Sequence, residues 1–184
     1  MKLLPNREPC ALTQWVVSAE GLQGQLFTCA RPGRSLGRKK KTIDDMAVIH
    51  WLNGLPATEA VTTIVSLLGR KPEPDGQSEF SYYSFRSVHE DRPGSPTFQE
   101  WLDRETAPGK YVVIEHPTTD TRPISLDLMN EITASILANL RASRTVVVVD
   151  SGGVSRTGAV VRHLGVMLNR SIVASPVTGN CPSR

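Results

Sequence analysis

Four consecutive valines at 146–149 run into Asp150-Ser-Gly-Gly-Val-Ser-Arg156 and then, without a break, into Thr157-Gly-Ala-Val-Val-Arg-His-Leu-Gly-Val-Met-Leu168. A β-branched run, a glycine-bearing turn and an apolar-rich helical stretch, in that order, predict a buried strand that delivers the chain to a helix N-terminus. Successive backbone N–H groups in such a turn face inward as an anion nest, and the positive end of the helix dipole adds to their field. Phosphate is the natural guest. Arg156 supplies a planar fork that can grip two of its oxygens, Thr157 offers a hydroxyl at the helix start, and Ser151, Gly152, Gly153, Val154 and Ser155 provide the rest of the cradle.

The remainder of the chain predicts the scaffold for that turn. Residues 60–68 and 110–115 are β-branched runs like the one at 144–149, and residues 80–88 alternate enough aromatics to suggest a further strand. Between them, Thr42-Ile-Asp-Asp precedes an apolar series of helical spacing that ends near Gly54. Ser95-Pro-Thr-Phe starts like a helix with proline at its first position, and residues 124–140 carry helical periodicity. Residues 1–42 read as small strands and loops. Strands alternating with helices predict one α/β domain over residues 1–184, with a central, mainly parallel sheet flanked by helices and its ligand site at the carboxyl ends of the strands.

Composition narrows the context. At 184 residues with 39% hydrophobic content, the chain can bury a core without staples. Cys10, Cys29 and Cys181 form no CxxC or Cys/His pattern, so neither a disulfide framework nor a zinc site is expected, no cofactor is implied, and a reducing cytoplasm fits. No apolar run reaches the length of a membrane span. The net charge of +3 is uneven: Arg31, Arg34, Arg38, Lys39, Lys40 and Lys41 fall within eleven residues. Such a run is an exposed loop first, and it leaves nucleic acid or another polyanion open as a partner.

The turn resembles the signature of the cysteine-dependent phosphatases, His-Cys-x-x-Gly-x-x-Arg-Ser/Thr: Gly153 matches its glycine, Arg156 its arginine and Thr157 its hydroxyl. Glu115-His-Pro-Thr-Thr-Asp120-Thr-Arg-Pro-Ile, ahead of the signature, resembles that family's general-acid loop, with Asp120 at the position that protonates the leaving oxygen. Residues 24–33 and 61–68 resemble the opening and second strand of dual-specificity phosphatases. The resemblance covers roughly residues 20–170 and implies that fold, with a phosphorylated protein or another phosphate-bearing ligand as partner. Asp120 also suits a turn or N-cap aspartate.

Two departures set this chain apart. Val149 stands in the histidine position and Asp150 in that of the nucleophilic cysteine, whose thiolate the family's reaction needs. A carboxylate at the bottom of an anion nest is expected to take the loop N–H bonds itself and to pair with Arg156. The second departure is the short C-terminal end, since Ser171-Ile-Val-Ala-Ser-Pro cannot replace all the helices that usually follow; either the fold is a compact variant, or the N-terminal segment or a partner covers that face, and association with a partner or with itself is one expectation. Three readings stay open: a pseudophosphatase acting as a binding or regulatory module; an active phosphatase family member in which Asp150 is an inactivating substitution or an unusual nucleophile; and a purely structural turn. His116 and His163 are expected to pack or face solvent rather than catalyse.

Overall fold

The computed structural model describes residues 12–17, 19–32, 34–35, 38–39, 45–56, 60–68, 80–81, 86–87, 97–119, 122–170 and 172–175. In chain order the elements are β1 (Thr13–Val16), β2 (Gln25–Ala30), β3 (Arg34–Ser35), β4 (Arg38–Lys39), α1 (Asp45–Asn53), β5 (Thr62–Ser66) and β6 (Phe80–Ser81). They continue with β7 (Arg86–Ser87), α2 (Phe98–Glu105), β8 (Tyr111–Glu115), α3 (Leu126–Arg141), β9 (Thr145–Asp150), α4 (Ser155–Met167) and β10 (Val173–Ser175). Six strands form one mixed sheet in the order β10-β1-β2-β9-β5-β8. Strands β2, β9, β5 and β8 are parallel, while β1 runs antiparallel to both β2 and β10. This is the expected α/β layer architecture.

Strand β9 lies between β2 and β5, and all of its residues are buried. Its side chains alternate between two cores as the pleat demands. Val147 and Val149 join Phe27, Cys29 and Ile64 under α1 and α2, whereas Val146 and Val148 join Leu26 and Val65 under α3 and α4. Burying each valine contributes about 1.5–3 kcal/mol, so β9 is a fixed spine. The chain reaches β5 and β8 with helices on one face, then returns to β9 and leaves it with helices on the other. The carboxyl ends of β9 and β5 therefore form a topological switch point, where open α/β sheets take their ligands.

Two sequence expectations need correction. Residues 80–88 do not supply one strand: β6 and β7 pair with each other, Phe80 opposite Ser87, apart from the main sheet. Alternation on its own cannot distinguish a strand in the main sheet from a ribbon paired with itself. The helix expected from Ser95-Pro begins later, because Thr97 is the N-cap of α2 and forms a capping box with Glu100. Thr97 N donates to Glu100 Oε2 at 2.6 Å and Glu100 N to Thr97 Oγ1 at 3.1 Å. These bonds satisfy two otherwise orphaned donors and set the start of α2 after Thr97. The sequence reading also missed β10, a short strand at the edge of the sheet.

The opposite edge, β8, carries a different device. Gln99 of α2 donates from Nε2 to Tyr111 O at 3.0 Å, and its Oε1 accepts from Val113 N at 2.7 Å. One side-chain amide thus pairs with outward-facing groups of β8 as a neighbouring strand would.

Candidate functional site

The carboxyl ends of the four parallel strands converge on the turn after β9. The backbone ladder continues past the strands there: Arg31 N donates to Asp150 O at 2.9 Å, Leu67 N to Val149 O at 2.8 Å and His116 N to Ser66 O at 2.8 Å. The start of the basic run, the end of β5 and the loop after β8 are thereby fixed around one point. Arg31 itself is buried, and its Nη1 donates to Pro32 O at 3.2 Å.

Asp150 is 1% exposed, and its carboxylate fills the nest. Oδ1 accepts from Gly152 N at 2.8 Å and from Gly153 N, while Oδ2 accepts from Arg156 N at 3.0 Å and Thr157 N at 3.1 Å. Helix α4 has no side-chain cap from Val154, its N-cap residue. The carboxylate four residues before that cap receives the donors of the first turn instead, which places a negative charge at the positive end of the dipole. Gly153 makes the fold-back possible. Its φ is +71°, and a Cβ there would run into Ala30 N and the Cys29 carbonyl carbon of β2.

Arg156 is also buried, at 4% exposure. Its Nη1 donates to Leu67 O at 3.1 Å, Thr118 O at 3.3 Å and Thr118 Oγ1 at 3.2 Å, while the Thr118 hydroxyl donates to Leu67 O. The expected ion pair between Asp150 and the Arg156 side chain is therefore corrected. Arg156 reaches the carboxylate through its backbone N–H, and Nη1 ties the loops after β5 and β8 together. Sequence reasoning missed Thr118 and the Leu67 carbonyl; the only signal was that Thr118 lies two residues before Asp120. Asp120, the general-acid candidate, lies outside the described residues.

The other predicted groups take unequal places. Ser151, Gly152 and Gly153 are half-buried, whereas Val154 and Ser155 are exposed. Thr157 is buried, and its Oγ1 has no hydrogen-bond partner among the described residues. His116 is buried at the end of β8 with Nδ1 3.6 Å from Glu131 Oε1. Burial pushes its pKa below the ordinary 6.5, and the Glu131 carboxylate opposes that shift. His163 is on α4, where Nε2 meets Asn130 Oδ1 at 2.8 Å.

Cys29 is buried on β2 and forms no disulfide among the described residues. Among the described residues no three His, Cys, Asp or Glu side chains come together as a metal site, and no helix is long and apolar enough to cross a membrane. No family model, curated protein or solved structure matches the chain.

Proposed function

We propose that this chain is a phosphatase-like domain without cysteine catalysis, whose anion-binding loop is occupied from within by the Asp150 carboxylate, and that it acts as a binding or regulatory module. The observation carrying this reading is the set of four backbone N–H groups that converge on Asp150, the donors a phosphate would otherwise receive. A phosphate entering the nest would meet that carboxylate at contact distance. Like unit charges about 4 Å apart cost about 4 kcal/mol at the effective dielectric of a protein surface. Both carboxylate oxygens already accept loop N–H bonds, which also argues against Asp150 as a nucleophile.

The loop thus keeps its anion-filled shape with no ligand bound, and what it offers a partner is shape rather than turnover. The test is hydrolysis of para-nitrophenyl phosphate by the native chain, by Asp150→Cys and by Asp150→Cys with Val149→His. Turnover by a cysteine variant alone supports a scaffold that lost its nucleophile. Turnover by the native chain overturns the reading, and silence from all three folded proteins counts against the acid-loop assignment or the phosphatase-like fold.

A further inference from the structure

Helix α4 carries a second face that the anion loop does not use. Gly158, Val161, Arg162, Gly165 and Val166 recur at i, i+3, i+4, i+7 and i+8, which puts them on one stripe about 12 Å long, and Asn169 follows just past the helix end. With Trp15 of β1, Arg170 and Ile172 they line an open groove of about 720 Å³. Its floor is apolar: Val161 is buried and Trp15 and Ile172 are half-buried, while Val166 stands 75% exposed on the rim. Arg162 and Arg170 are exposed cations, and among the described residues no acidic side chain lines the groove.

From this face we infer a docking site for one kind of occupant, an amphipathic helix of a partner protein whose apolar stripe is flanked by carboxylates. Val161 is buried beneath the groove and Gly165 packs against Arg170 O and Ile172, so the exposed ridge along which a second helix lies is formed by Gly158, Arg162 and Val166. Gly158 leaves that ridge low, since a Cβ there would meet only Arg162 Nη1 at 3.5 Å. The two guanidiniums set the sign of the occupant's flanking charges and exclude a basic helix. The surface does not depend on the state of the anion loop, so the inference goes beyond the proposed function.

The experiment titrates the full chain, by fluorescence anisotropy, with two labelled helix-forming peptides of about four turns. Both carry leucines at i, i+3, i+4 and i+7, one with glutamates and the other with lysines on the flanks. The native chain is expected to bind the glutamate peptide at least tenfold more tightly than the lysine peptide. Arg162→Glu with Arg170→Glu, at exposed positions that leave the melting temperature unchanged, is expected to reverse that order. Val166→Asp is expected to weaken the glutamate peptide at least fivefold. Equal binding of both peptides, an order unmoved by the charge reversal, or binding to phosphatidylglycerol vesicles with none to either peptide would overturn the inference.

Discussion

Replacing Asp150 with serine removes the carboxylate while leaving room where it sat. Four backbone donors lose their charged acceptor, Gly152 N, Gly153 N, Arg156 N and Thr157 N. Each buried donor left unmade costs about 1–3 kcal/mol, but the serine hydroxyl and entering water recover part of that. Removing one partner of a buried charged contact costs about 3–5 kcal/mol. At about 2–4 °C per kcal/mol for a domain of this size, the melting temperature should fall by about 10 °C in a buffer without phosphate. The vacated nest is then open to a guest. Inorganic phosphate at a hundredfold excess over its dissociation constant should return about 2.7 kcal/mol, or about 5–11 °C, to Asp150→Ser and almost nothing to the native chain. Thermal denaturation of both proteins with and without phosphate, at constant ionic strength, reads this directly. Equal phosphate stabilisation of the two proteins would refute the reasoning, and so would a serine variant as stable as the native chain without phosphate.

Gly153→Ala should destabilise by about 3 kcal/mol or more, since a left-handed alanine costs about 1–2 kcal/mol and its Cβ would also meet the β2 backbone. Gly109→Ala, at φ +76° with nothing within 4 Å, should show only the conformational part, and urea denaturation of the pair separates the two. His116 favours its neutral form when folded, so the unfolded chain binds the extra proton. Its contribution to stability is complete above about pH 6.5 and is lost as pH falls below that value. His116→Gln should therefore flatten the stability profile between pH 7 and pH 5 in denaturant titrations, and an unchanged slope would show that His116 is not its source.

The strands that form the spine were legible in the sequence because β5 and β9 are buried on both faces and so read as unbroken β-branched runs. Strand β10 was not: its three residues carry no apolar pattern, and its pairing with β1 spans most of the chain. The segment at 80–88 has the composition of a strand, but tertiary context decides whether a strand joins the sheet or folds back on itself. At the site, the carboxylate in the nest was foreseeable because donors and acceptor lie within eight residues of one another. The Nη1 bonds of Arg156 were not foreseeable in the same way. Thr118 and Leu67 are 38 and 89 residues away, and only the strand order brings their loops to the same crevice.

The amide of Gln99 gives the two borders of the sheet different standing. At β8, outward-facing donors and acceptors are answered inside the molecule, so an incoming strand would first have to evict a side chain held by two good bonds. At β10, the border is a strand of three residues laid on β1. Strand addition at the β8 border therefore meets an obstacle, Gln99, that the fold itself supplies. Hydrolysis of that glutamine to glutamate would keep the acceptor for Val113 N but remove the donor to Tyr111 O and set a charge against it, loosening that guard by the chemistry of ageing alone.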